Sequence, residues 1–176
     1  MPEECIQEVT KDTVIYLRAM HIENFQQDYD DIFYASLPNS PVFKGYILVI
    51  DGCNAGEVII KWFVEHNSLC AYIISFSIME KYRGQGYGNK LFQFTMDKTK
   101  ECFSVYLHVR VTNYVALSLY TKFGFEAIEI IDGYYDDEDG YLMIRNNSVP
   151  HPDPPMKKKI IDFNNVLHLI NHLLFN

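Results

Sequence analysis

A chain of 176 residues that is 48% hydrophobic and 15% aromatic can bury one domain core, with room for an appendage, and is too apolar to be disordered over most of its length. Its net charge of -8 argues against nucleic acid as a partner, since the one basic run is Lys157, Lys158 and Lys159. The N-terminal MPEECIQEV lacks the apolar stretch of a signal peptide, no run of about 18 apolar residues is present to span a membrane, and Cys5, Cys53, Cys70 and Cys102 form no C-x-x-C pair, so free thiols in a reducing compartment and no metal are expected.

In chain order, Val14 to Ala19 reads as a first strand, Glu23 to Asp31 as a polar helix, and Phe33 to Pro41 as a loop holding two prolines. Tyr46 to Ile50 and Val58 to Val64 are apolar, β-branched runs flanking a turn-rich segment from Asp51 to Gly56, which reads as a hairpin. Leu69 to Ile78 is nearly unbroken apolar sequence, as expected of a central strand covered on both faces. A glycine-rich segment and a helix over Asn89 to Cys102 follow. Val105 to Val111 alternates, with Tyr106, His108 and Arg110 on the polar face. Asn113 can cap a helix ending near Phe123 and Gly124. Phe125 to Ile131 and Tyr141 to Ile144 form a second hairpin across the acidic Asp136-Asp137-Glu138-Asp139-Gly140. The order predicts an α+β fold with a mixed sheet. Four prolines between 150 and 155 suggest that a domain over 1–149 ends there. A Pro/Lys-rich linker (150–159) and an amphipathic tail helix (160–176) would follow, the latter from the helical spacing of Phe163, Val166, Leu167, Ile170, Leu173 and Leu174.

The segment Arg83-Gly84-Gln85-Gly86-Tyr87-Gly88 lies between a strand and a helix. Glycines there let backbone amides converge on an anion, and the following helix adds the positive end of its dipole, so a pyrophosphate suits the site. The run is neither a P-loop nor the dinucleotide fingerprint, since the lysine of the one and the spacing of the other are absent. Histidine, unperturbed near pKa 6.5, can take a proton from an amine at neutral pH, which makes His108 a candidate base. Taken alone, the glycine run also reads as an ordinary turn, His108 as a surface residue, and Tyr72 and Tyr120 as packed aromatics.

Together these segments resemble a known family. Residues 72–88, YIISFSIMEKYRGQGYG, are similar to motif A of the GNAT superfamily, whose loop pattern is matched by Arg83, Gly86 and Gly88. Residues 107–125, LHVRVTNYVALSLYTKFGF, are similar to motif B, matched by Asn113, Ala116, Tyr120, Gly124 and Phe125. The two motifs stand in the family's order, within a resemblance covering roughly residues 12–145. It implies a GNAT fold, a mixed and mostly antiparallel sheet with a splayed central strand flanked by helices, and acetyl-CoA as cofactor. The segments around Tyr72, His108 and the tyrosine pair resemble protein N-terminal acetyltransferases of the NatE and NatF type. That likeness implies transfer to the α-amine of a peptide by direct attack in a ternary complex. Tyr72 and His108 would hold a catalytic water, and the Tyr120 phenol would face the departing sulfur. Backbone amides near Phe76, Ser77 and Ile78 are candidate oxyanion donors. Arg83, Gly84, Gln85, Gly86, Tyr87, Gly88, Asn89, Asn113 and Lys122, with Tyr120, make up the implied cofactor site. Ile74, Tyr134 and Tyr135 would contact the peptide, with Phe33 and Tyr34 in the loop where the family often carries Phe-Pro-x-x-Tyr and this chain does not. The rivals are a lysine or small-amine acetyltransferase, which the acidic hairpin would suit, and a silent CoA-binding module. The unpaired cysteines lead to the expectation of a cytoplasmic protein. Its tail would lie on a membrane surface, on a partner, or back on its own domain.

Overall fold

The computed structural model describes residues 2–25 and 28–149; the linker and tail helix expected beyond them lie outside the described residues. The elements are β1 (Glu4–Glu8), α1 (Val14–Phe25), α2 (Asp31–Ser36), a 3-10 turn (Leu37–Asn39), β2 (Phe43–Ile50), β3 (Cys53–Glu65) and β4 (Ser68–Ile78). A second 3-10 turn (Glu80–Tyr82), α3 (Tyr87–Lys98), β5 (Ser104–Arg110), α4 (Tyr114–Lys122), β6 (Glu126–Tyr135) and β7 (Glu138–Asn146) complete the order. The strands form one seven-stranded sheet, ordered β1-β2-β3-β4-β5-β7-β6. Every neighbouring pair is antiparallel except β4 and β5. This is the expected α+β GNAT architecture. Among the described residues no helix is long and apolar enough to cross a membrane.

Both central hairpins close through tight turns with positive φ at each central residue, Asp51 (48°) with Gly52 (75°) and His66 (47°) with Asn67 (61°), the backbone that matches strand twist. The first hairpin is therefore longer than its composition suggests, because Cys53 to Glu57 already belong to β3. Helices cover both faces of the sheet. Leu91, Phe92 and Met96 of α3 pack on Val58, Ile60, Ile73 and Leu107. Leu17 and Met20 of α1, with Phe33, Tyr34 and Leu37, pack on Ile47 and Ile59. Burying side chains of this size contributes about 1.5–3 kcal/mol each.

The N-terminal third differs from the expectation. Val14 to Ala19 is the start of α1, not a strand. Its β-branched opening suggested a strand, but Leu17, Met20 and His21 recur at helical spacing and are the residues buried on the sheet. Asp30 then caps α2, its carboxylate accepting from the Phe33 amide at 2.7 Å, so the expected helix over Glu23 to Asp31 is split between the end of α1 and this cap. The segment from Phe33 to Pro41 is largely α2 and a 3-10 turn. The edge strand β1 is the element the sequence pattern does not announce, since Glu4, Ile6 and Glu8 give it little apolar alternation.

Two features of β4 shape the site. Its register on β3 shifts between Ile59, opposite Ser75, and Ile60, opposite Ile73, leaving Ile74 as the extra residue of a bulge. Its pairing with β5 covers only Cys70–Ile73 against Ser104–Leu107. From Ile74 on, β4 turns away, while His108 to Arg110 of β5 continue along β7. The two strands part like a V.

Candidate active site

The glycine loop supplies one wall. Gly84 (φ 73°) and Gly86 (φ 90°) have left-handed backbone that a side chain would strain, and nothing lies within 4 Å of where a Cβ would stand on either. Gly86 caps α3, so the first amides of that helix are free of intrahelical partners. An open depression of about 590 Å³ lies beside them, lined by Gly86, Asn89, Lys90, Gln93, Lys122 and Phe123. Lys122 Nζ donates to Asn89 Oδ1 at 2.6 Å, which brings a cation beside the helix end. Positive-φ glycines, a helix N-terminus and ammonium groups fit an anionic phosphate chain.

Three expected cofactor residues serve the scaffold through their side chains. Arg83 donates from Nε to the Ile78 carbonyl at 2.8 Å and from an Nη to Asn24 Oδ1 at 2.8 Å, bracing the loop against β4 and α1. Asn113 caps α4, its Oδ1 accepting from the Ala116 amide at 3.2 Å. Gln85 is likewise turned back, donating to the Lys81 carbonyl at 2.8 Å. Met79 N–H donates to Ala55 O at 2.9 Å across β3. Strand alternation therefore turns the Ser77 amide toward β3 as well, and those of Phe76 and Ile78 toward the opening. Of the three expected oxyanion donors, Ser77 is thus spent on β3, while Phe76 and Ile78 face the opening.

A second cluster lies on the α1–α2 face. Tyr72, within the paired stretch of β4, and His108, one residue past it on β5, meet with the Tyr72 hydroxyl 2.6 Å from His108 Nδ1. Tyr134, near the end of β6, stacks on the imidazole with centroids 4.1 Å apart and planes 7° from parallel, and its hydroxyl is 3.4 Å from that of Tyr72. Tyr135 packs edge-on against Tyr134 at 4.9 Å, and the Arg110 guanidinium lies 4.4 Å over the Tyr135 ring. Burial lowers the His108 pKa to about 4 and raises that of Tyr72 well above its ordinary value. At neutral pH the imidazole is therefore uncharged and the phenol protonated, and the tautomer of the ring sets which of Tyr72 and Nδ1 donates to the other. The Nε2 of His108 is buried and has no hydrogen-bond partner among the described residues.

The sequence pictured His108 with an ordinary pKa, on a polar face. The structure leaves it half-buried under Tyr134, and the lost solvation changes the physics. Moving a proton from an amine of pKa near 7.7 to an imidazole at about 4 is uphill by about 5 kcal/mol. His108 is built to hold a hydrogen bond, not to store a proton.

Tyr120 on α4 is buried among Phe76, Phe92 and Phe125, on the opposite face from Tyr72. Ile74 is the bulge residue and faces the α1–α2 layer. Phe33 and Tyr34 are core residues, 7% and 3% exposed, with the Tyr34 hydroxyl 3.2 Å from His21 Nδ1. They shape the wall from behind and present no free face. The acidic turn is also engaged: Asp137 and Glu138 pair with Arg110, and Asp139 accepts from the Gly133 amide at 2.8 Å.

Sequence reasoning missed two residues. Tyr29, just before α2, packs against His21 and Phe33 and lies within electrostatic reach of Tyr134. Glu57 on β3 is fully buried, accepting from the Ser75 hydroxyl at 2.8 Å and the Ser77 hydroxyl at 3.0 Å. A carboxylate inside the run AGEVII was the available signal.

The chain is 38% identical to an N-alpha-acetyltransferase of Saccharolobus solfataricus over 78 residues, 42% of this chain and 47% of that protein. The match thus spans about half the length of that relative. It is 31% identical to the N-terminal acetyltransferase A complex catalytic subunit NAA10 of Arabidopsis thaliana over 152 residues, 81% of this chain and 77% of that protein. Among solved structures, Arabidopsis thaliana NAA60 in complex with a bisubstrate analogue superposes with a TM-score of 0.74 at 20% identity, covering 84% of this chain and 100% of that one. At that identity the likeness concerns the fold. Residues 10–125 match the Acetyltransferase (GNAT) family, and the chain belongs to that family.

Proposed function

We infer that this chain transfers an acetyl group from acetyl-CoA to the α-amine of protein or peptide N-termini. The observation that carries the reading is the Tyr72–His108 contact at 2.6 Å under the stacked Tyr134 ring, placed where β4 and β5 part. The names of the archaeal and plant relatives support the same substrate class.

Acetyl-CoA supplies an activated thioester carbonyl. The loop amides at Gly84, Gly86 and Gly88 hold its phosphates, and the amides of Phe76 and Ile78 face the developing negative charge on oxygen. Tyr134 and Tyr135 grip the peptide backbone. Tyr72 and His108 would position a water through which the amine could shed its proton, and Tyr120 would supply a hydroxyl to the departing sulfur. Transfer is direct: Cys70 and Cys102 are buried, with thiols pushed up to about 12 and about 11, which makes them poor nucleophiles.

Mass spectrometry of short peptides incubated with acetyl-CoA tests the reading. The peptides vary in their first two residues, carry free or blocked N-termini, and contain an internal lysine. Acetylation confined to free N-termini is expected. Modification of the lysine in blocked peptides would move the function to lysine acetylation.

A further inference from the structure

Tyr134 reaches the Tyr72–His108 pair against the run of its own strand. On β6, Ile131 stands opposite Gly140 of β7 and Tyr135 stands opposite Glu138. Between them Asp132, Gly133 and Tyr134 face a single residue of β7, Asp139. Such a bulge re-aims a side chain. Ile131 packs with Tyr72 and Leu142, so plain alternation would send Tyr134, three residues on, to the opposite face of the sheet. Instead its ring lies on the His108 imidazole, with centroids 4.1 Å apart and planes 7° from parallel.

Two residues of β7 hold this turn of chain. Gly133 takes left-handed backbone, φ 61°, and its N–H donates to the Asp139 carboxylate at 2.8 Å. The Asp139 carbonyl in turn accepts from the Val111 N–H at 3.2 Å, just past the end of β5. One residue thus joins the bulge to the chain that carries His108. None of the ion pairs among the described residues includes Asp139. Gly140 gives the ring its room, since a Cβ there would stand 3.0 Å from both Cβ and Cδ1 of Tyr134.

We propose that Asp139 is a positioning residue for acetyl transfer: by holding the Gly133 amide it fixes the bulge that lays Tyr134 over His108. The proposal rests on the acetyl-transfer reading above and goes beyond it, because Asp139 touches neither substrate nor cofactor there. The place of the Tyr134 ring sets how far water reaches His108 and what surface a peptide meets. A carboxylate near an amine site also suits attraction of the substrate's charge. Positioning needs an acceptor oxygen and not a charge, and this separates the two roles.

NMR and steady-state kinetics on the full chain test this. A stacked aromatic ring shields the protons lying over its face. The His108 ring resonance, identified by its absence in His108→Ala, should therefore lie upfield in the wild type. Asp139→Ala should move it downfield and lower kcat/KM for a free peptide by about 10-fold or more, with CoA affinity unchanged. Asp139→Asn should recover most of both losses, since its side-chain oxygen can accept from the same amide. Gly140→Val should move the resonance as Asp139→Ala does, by pressing on the ring directly. In a Tyr134→Ala background, Asp139→Ala should cost little more. If Asp139→Ala does not fold, Asp139→Asn decides, and a downfield His108 resonance in that variant overturns the proposal. An unmoved resonance in Asp139→Ala, losses in Asp139→Asn as large as in Asp139→Ala, or losses that add in the Tyr134→Ala background overturn this proposal alone. Absence of transfer from the wild type to any peptide overturns the functional reading, and the His108 resonance still decides whether Asp139 places Tyr134.

Discussion

At the scale of single residues, the Tyr72–His108 pair acts as a unit, so its members should not contribute independently. His108→Ala is expected to lower kcat by about 10²-fold or more while leaving CoA affinity intact, because the imidazole faces the amine side and not the glycine loop. Tyr72→Phe should also be slow, and the double variant should lose less than the product of the two, since both hold one water. Steady-state kinetics beside calorimetry with CoA checks this; additive losses would mean that the two residues act separately. The pair was legible in the sequence through its motifs, as was Tyr134. The geometry that gives them meaning was not. Burial of His108 depends on Tyr134 closing over it from β6, 26 residues along the chain, and no local pattern reports that contact. Glu57 shows the converse. Its chemistry was visible as a carboxylate among β-branched residues, but its partners Ser75 and Ser77 come from a neighbouring strand.

Among the elements, the central strand and the helices after the glycine loop follow closely from local signals. Asn113 caps α4 and Gly124 (φ 84°) ends it, each a residue chosen for its backbone role. Here α1 was misread because Val14 and Ile15 favour extended backbone in isolation, while Leu17, Met20 and His21 gain burial only as a helix. The bulge at Ile74 was invisible, since an extra residue in a ladder leaves no mark in an apolar run. The loop before α3 carries the clearest element-level test. Gly86→Asp adds a side chain at φ 90° and a negative charge at a helix N-terminus that would hold phosphates. Calorimetry should show CoA binding abolished, with the thermal midpoint lowered modestly by the strain at φ 90° and the fold kept, because nothing packs on that position. Wild-type affinity in this variant would place the cofactor elsewhere.

For the molecule as a whole, the buried ionisable groups set the response to pH. His21 and His108 are lowered to about 4 from an ordinary 6.5, so the unfolded chain binds more protons between those values. Stability should therefore fall as pH drops through that window, by roughly 3 kcal/mol for each histidine once below it. Glu57 is raised from 4.5 to about 7, so its contribution falls as pH rises through that span and opposes the histidines. The two histidines outweigh it. The thermal midpoint should decline from pH 6.5 toward 4, and His21→Gln should flatten the decline; a midpoint independent of pH would mean that the histidines are not held neutral. The α+β class and the order of the central elements were readable from hydrophobic pattern. The site as a single place was not, because its walls come from β3, β4, β5, β6 and two helices that meet only around the V in the sheet. The central claim is that the glycine loop and the Tyr72–His108–Tyr134 cluster serve one reaction. Its most direct test is the affinity of a conjugate joining CoA through an acetyl bridge to the α-amine of a short peptide, measured by calorimetry against CoA alone and the peptide alone. The account predicts binding about 10²-fold tighter than either half, weakened by both Gly86→Asp and Tyr134→Ala. A conjugate that binds no better than CoA, and is indifferent to Tyr134→Ala, would contradict it.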